Sequence, residues 1–216
     1  MKKVVIPTNY MDPRWYTSPN HVNGSFGSDG TKILVTSFGG DNGDWHGPGI
    51  KMNLSEKIPL WRDFYIMFRA AMTVQTSSGY LSSSTVALMS QATVPFRMQC
   101  YDGNADGTTS YTYVDGPTGH VLTDSTSGVT AARTVEYQNI GGILTIRHNG
   151  SLLYAGNYAP GFQQYLDAID MYTYQYTTYS TYQCTLEAFE YWYTPEPRRG
   201  PTIYLPATYK ASMGRW

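Results

Sequence analysis

The sequence predicts an all-β protein, an antiparallel β-sandwich with extended N- and C-terminal arms, and three observations carry that prediction. Phe64, Ile66, Phe68, Ala70, Met72 and Val74 alternate with Tyr65, Met67, Arg69, Ala71 and Thr73, the period of a strand with one face buried. Asn149-Gly150 separates the run Ile143-Leu144-Thr145-Ile146-Arg147 from Leu152-Leu153-Tyr154, and Asn-Gly is the preferred two-residue hairpin connection because both positions tolerate positive φ. Short strand-like runs bounded by Gly, Asn, Asp, Ser and Pro recur along the chain, whereas residues 161–167 are the one stretch that reads as a helix. Such a series can bury its apolar faces only by packing one sheet on another.

Taken in order, the first two dozen residues hold Pro7, Pro13, Pro19 and Gly24 with little periodicity, so residues 1–24 read as an arm. Residues 32–38 form a first strand, closed by Gly39-Gly40 and the Gly/Asn/Asp loop that runs to Gly49, and Ile50 begins the next. The alternating strand 64–74 follows, with Trp61 before it expected to cap the core. Further strands are expected at 85–89, 94–101, 110–114, 134–138, 142–147, 151–154, 168–176 and 182–193. Pro195, Pro197 and Pro201 then stop strand pairing, leaving a sandwich over 25–194 and a second arm over 195–216.

The chain of 216 residues is long enough for a sizeable core and reads as one domain, although length alone also allows two small ones. Fifteen Lys and Arg nearly cancel sixteen Asp and Glu for a net charge of −1, which removes the electrostatic reason to expect nucleic acid or an anionic membrane as partner. Charged residues are only 14% of the chain, against 20 Tyr and 21 Gly; the surface is therefore built largely from Tyr, Thr, Ser, Asn and Gln, as suits sugar-binding or assembly-embedded proteins. Met1-Lys2-Lys3 precedes only Val4-Val5-Ile6 before Pro7, too short an apolar run for a signal peptide, and no segment approaches a membrane span. A soluble protein made in the cytoplasm is expected. Cys100 and Cys184 lie within strand-like runs and read as buried free thiols, with a disulfide as the alternative if their strands adjoin. The sequons at Asn23, Asn53 and Asn149 are then chance matches.

The order of pieces resembles the concanavalin-like, lectin-like jelly roll found as carbohydrate-binding-type modules in bacteriophage tail and baseplate proteins, including the C-terminal domain of siphophage distal tail proteins. The resemblance rests on the loop Asp44-Trp45-His46-Gly47-Pro48, the strand start Asp63-Phe64, Cys100-Tyr101-Asp102-Gly103-Asn104, the hairpin carrying Arg147-His148-Asn149-Gly150, and the closing strand Leu186-Glu187-Ala188-Phe189-Glu190-Tyr191. It implies a virion component of the tail or baseplate, acting in adsorption or its scaffold, with other virion proteins, further copies of itself and host surface saccharide as partners. A full distal tail protein also carries a ring-forming N-terminal domain, for which this chain has no room. An accessory module docked through its arms fits better, since Trp15, Tyr16, Ile203, Tyr204, Leu205, Tyr209 and Trp216 place apolar groups outside the predicted sandwich where solvated tails usually have none. The alternative is a stand-alone bacterial glycan-binding protein or glycoside hydrolase of the same jelly-roll fold.

Candidate sites follow from residue chemistry. Tyr172, Tyr174 and Tyr176 share one strand face and Ile169, Met171 and Thr173 the other; the tyrosines are core, interface or a stacking platform for sugar rings. Trp45 and His46 stand in the Gly-rich loop, where an indole either stacks on a saccharide or anchors the loop. Asp102, Asn104 and Asp106 supply oxygens at the spacing of a calcium loop, but Tyr113 stands where the bidentate Glu belongs, so a polar turn is the competing reading and no other cofactor is implied. No catalytic residue is assigned. Asp167 and Asp170, like Glu187 and Glu190, are three apart and project from opposite faces of a regular strand, His21, His46, His120 and His148 are scattered, and no nucleophile elbow or zinc-protease run is present.

Overall fold

A computed structural model describes residues 2–6, 8, 12–17, 25–28, 33–37, 49–75, 82–91, 93–102, 110–117, 119–126, 131–160, 164–174 and 181–195. The strands are β1 (Lys2–Val5), β2 (Trp15–Thr17), β3 (Ser25–Ser28), β4 (Ile33–Ser37), β5 (Gly49–Pro59), β6 (Phe64–Gln75), β7 (Ser82–Ser90) and β8 (Thr93–Asp102). They continue as β9 (Ser110–Gly116), β10 (Gly119–Thr126), β11 (Arg133–Ile140), β12 (Ile143–His148), β13 (Ser151–Asn157), β14 (Tyr165–Tyr174) and β15 (Thr181–Tyr193). One sheet runs β13-β12-β11-β6-β15-β4-β3, with β1 also on β15, and the other β10-β9-β8-β7-β14-β5-β2. All pairings are antiparallel, and the two layers make the jelly-roll sandwich. No helix among the described residues is long and apolar enough to cross a membrane.

The core is the sum of the inward positions of both sheets. Phe64, Ile66, Phe68 and Ala70 of β6 are fully buried, as are Val86 and Leu88 of β7, Phe96 of β8, and Ile169 and Met171 of β14. Tyr137 packs on Phe96 with ring centroids 4.4 Å apart and planes tilted by 31°, and its hydroxyl donates to the Arg97 carbonyl at 3.1 Å, so the ring crosses from one sheet to the backbone of the other. Cys100 and Cys184 are both buried and free, and Cys184 Sγ lies 3.8 Å from the Thr85 carbonyl.

Asn149 and Gly150 have φ of 48° and 82° and join β12 to β13 with His148 opposite Ser151, the predicted hairpin. Gly141 and Gly142, at φ 57° and 81°, make a second tight turn of the same kind between β11 and β12. In the expected helix, residues 161–163 lie outside the described residues and Tyr165, Leu166 and Asp167 begin β14. Strand wins there because Leu166 is fully buried and the segment pairs with β5, so tertiary pairing overrides local propensity. Over its described residues the N-terminal segment folds back on this chain, which corrects the expectation that Trp15 docks on a neighbouring subunit: β1 pairs with β15, β2 with β5, and Ile6 and Trp15 are buried in this chain's own core. Burying an indole releases more apolar surface from water than any other single side chain of the segment offers. The expected C-terminal arm lies outside the described residues, apart from its first position, Pro195.

Candidate functional site: the outer face of the seven-stranded sheet

On β8, Phe96, Met98 and Cys100 are buried in the core, so Pro95, Arg97 and Gln99 take the opposite face. Cross-strand register extends that face over the sheet. Tyr16 is opposite Lys51, Lys51 opposite Asp170, Asp170 opposite Ala87 and Ala87 opposite Arg97, and the Arg97 guanidinium reaches on to the Asp115 carboxylate. The next row runs Tyr172 to Thr85, Gln99, Tyr113 and Thr123. A third row aligns positions 174, 83, 101, 111 and 125.

The face is therefore a charged row beside an aromatic and amide row. Thr85 and Ala87 at its centre are fully buried, small side chains sunk between the larger ones of β14 and β8, so the surface dips along β7. Arg97, Gln99 and Tyr113 are partly open. Two of its charges are matched, Arg97 Nε donating to Asp115 Oδ2, and Asp170 stands opposite Lys51 in the register. Tyr137, beneath the same strand, has its phenol held well above the usual range by burial first and the Asp115 carboxylate second.

The sequence candidates fall as follows. Register agrees with the expected division of β14: Ile169 and Met171 face the core and Tyr172 the other side. Tyr172 is only 8% exposed, which leaves little of its ring open to a partner. Tyr174 ends β14 opposite Ser83; Tyr176, Trp45, His46, Asn104 and Asp106 lie outside the described residues. Asp102 closes β8 opposite Ser82 and Ser110, and among the described residues no three His, Cys, Asp or Glu side chains cluster as metal ligands. Arg97, Gln99 and Tyr113 were missed, though the alternation of β8 carried the signal for the first two.

One expectation needs correcting. The carboxylates three apart were placed on opposite faces of regular strands, but neither strand is regular there. The register slips between Leu166 and Ala168, where the partner jumps from Ile58 to Asn53 and the surplus residues lie on β5, and between Leu186 and Ala188, whose partners Ala70 and Arg69 are consecutive, so that Glu187 is the extra residue of a bulge that resets the alternation. Leu186 is buried before that bulge and Phe189 and Tyr191 after it; Glu187 and Glu190 consequently share the outer side of the eight-stranded sheet. Each is occupied, Glu187 by Arg69 at 2.8 Å and Glu190 by Lys3 at 2.7 Å. Asp167 accepts the Gln91 amide at 3.2 Å.

Comparison with solved structures supports the same architecture. The chain is similar to the CBM2 module of the evolved Dit of Lactobacillus casei BL23 phage J-1, with 12% identity over 90% of this chain and 96% of that one at a TM-score of 0.60. It also resembles the alginate lyase AlgAT5 of polysaccharide lyase family 7, with 12% identity over 89% and 94% of the two chains at 0.56. A third is the Bacillus licheniformis beta-glucanase, with 10% identity over 89% and 98% at 0.55. The fold is thus the concanavalin-like jelly roll. No protein-family profile matches the chain, and neither does any curated protein.

Proposed function

We propose that the protein is a non-enzymatic carbohydrate-binding component of a phage virion, of the tail or baseplate, that holds host-surface saccharide on the outer face of its seven-stranded sheet. The observation that carries the reading is the partly open Gln99 and Tyr113, opposite one another on β8 and β9, beside a charged row in which Arg97 is paired with Asp115. Aromatic rings offer apolar faces to sugar rings and amides bond to hydroxyls in either sense. General acid–base work needs a carboxyl group whose proton is available to substrate, and Asp115 is committed to Arg97. The likeness to a phage Dit module favours the virion setting, with the residues from the Trp45–His46 loop and Tyr174 and Tyr176 as further contacts.

Glycan-cleaving enzymes of the same fold support a second reading, a glycan lyase or hydrolase. One experiment separates the two. The protein is incubated with purified host cell-wall polysaccharide, and both retention and new chain ends are measured for the parent, Gln99→Ala and Tyr113→Ala. Retention weakened about tenfold by each substitution, one interaction's worth, with no new ends, is the expected result. New reducing or unsaturated ends would replace the binding reading with the enzymatic one, and retention unchanged in both variants would remove this face from the function.

A further inference from the structure

A cleft of about 480 Å³ opens at the end of the sandwich where β8 begins and β9 ends. Thr93, Pro95, Pro117, Asn157, Tyr158 and Gln164 are among the residues that line it. The volume is that of a small-molecule site, and no residue lining it is charged. Pro95 and Pro117 are each two residues from Arg97 and Asp115, so the cleft begins about 7 Å along the strands from that ion pair.

Tyr158 is fixed within it. Its amide donates to the Gly142 carbonyl at 2.8 Å, and its ring packs edge-on to Phe64 at 6.2 Å and against Phe96 at 6.1 Å. Burial alone raises the pKa of its phenol, with no hydrogen bond or neighbouring charge contributing. Among the described residues no hydrogen bond engages the hydroxyl, which is therefore open as donor and acceptor. With the Asn157 and Gln164 amides and the Thr93 side chain it supplies polar groups among the prolines of the lining.

We propose that this cleft is a second saccharide subsite, distinct from the sheet face, that takes one or two neutral sugar units; the choice of ligand class rests on the carbohydrate reading above. Polar groups few in number and uncharged, set among apolar ring surfaces, match a neutral hydroxylated ring. A uronate or phosphate would be left there without a counter-charge.

The test is an amide-shift titration of the full chain by NMR with glucose, galactose, N-acetylglucosamine, cellobiose and lactose, and with glucuronate as the charged counterpart. Shifts at Thr93, Gly116, Asn157 and Ala159, weakened about tenfold by Tyr158→Phe as one hydrogen bond is lost, are the expected result. Asn157→Ala, at an exposed position, gives the same reading if the tyrosine variant fails to fold. Shifts confined to Gln99 and Tyr113 would overturn the cleft while leaving the sheet face intact. Tighter binding of glucuronate would overturn the neutral ligand class, and no response to any of the neutral sugars would overturn the subsite.

Discussion

Alkaline unfolding should be driven by buried tyrosines, Tyr137 and Tyr158 foremost, with Tyr191 and Tyr193 raised in the same direction by burial. Tyr137 is inaccessible to solvent and its phenol is held well above 10.0 by burial, with Asp115 adding to the effect. Tyr158 is raised by burial alone. Both phenols titrate near pH 10 in the unfolded chain. A folded pKa above the unfolded one gives stability that is complete below pH 10 and is lost as pH rises from there towards the folded values, because only the unfolded state sheds the proton. Within that window each group removes about 1.4 kcal/mol per pH unit, so the pair removes about 3 kcal/mol per unit. Against the 5–15 kcal/mol usual for a folded domain, that brings the midpoint of unfolding to roughly pH 12 to 13 for a protein of modest stability. Tyr65, pushed up to about 12 by burial and by Glu136, is more open and adds less. Urea unfolding at intervals from pH 8 to 12 measures the slope. Tyr137→Phe and Tyr158→Phe should each flatten it by about 1.4 kcal/mol per unit; Tyr137→Phe should also lower stability at pH 8 through the orphaned Arg97 carbonyl, whereas Tyr158→Phe leaves no partner unpaired and should not. Phenolate absorbance that rises fully at pH 10 to 11 while the fold persists would refute the assignment.

Other consequences are simpler to read. Trp15→Ala should cost about 3–5 kcal/mol and lower Tm by roughly 10 °C if β2 is part of the core; a loss under about 1 kcal/mol, the range of surface substitutions, would return the N-terminal segment to a free arm. Gly150→Ala, at φ 82°, should cost about 1–2 kcal/mol in urea unfolding, and an unchanged midpoint would mean the turn is not left-handed. Cys100 and Cys184 are 2% and 0% exposed, and burial pushes the Cys184 thiol up. Neither should react with iodoacetamide in the native protein at pH 8, and both should in denaturant; rapid native alkylation would place a thiol at the surface.

What the sequence revealed and what it hid divide along physical lines. The strand over Phe64 to Val74 was legible because both its neighbours are strands and one face meets a dry core, so hydrophobicity and pleat share a period. Asn149-Gly150 was legible because few residue pairs accept two consecutive positive φ values. β1 and β2 were hidden because four- and three-residue edge strands carry too few positions for a period to register. Their membership comes from partners far along the chain, Tyr191 for Val4 and Met52 for Trp15. β10 was hidden because much of its Gly119–Thr126 sequence is polar and it borders the sheet. The site was partly legible: alternation set Tyr172 on the side away from Ile169 and Met171, yet it could not say that Tyr172 would be covered or that β8 and β9 would leave Arg97, Gln99 and Tyr113 open.

The bulges matter most to function. Parity along a strand converts spacing into facing only while every residue is paired, and one unpaired residue reverses it for all that follow. At Glu187 the reversal moves Phe189, Tyr191 and Tyr193 onto the core side; without it the closing strand would bury Glu190 and Trp192 instead. The slip against β5 goes with a change of parity on β14, since Leu166 and Ile169 are both buried, and Asp170 and Tyr172 take the opposite face. Of the carboxylates near these irregularities, Asp167 is met by the Gln91 amide, Glu187 by Arg69 and Glu190 by Lys3. A glycan-cleaving enzyme of this fold would need such a carboxylate freed; the Asp115→Asn exchange instead frees Arg97, and its effect on acidic against neutral glycans reports the charge of the seven-stranded sheet's outer face. Stronger retention of alginate with unchanged retention of neutral chains is expected. Equal effects on both would mean that the Arg97–Asp115 pair holds the face together and does not tune its charge.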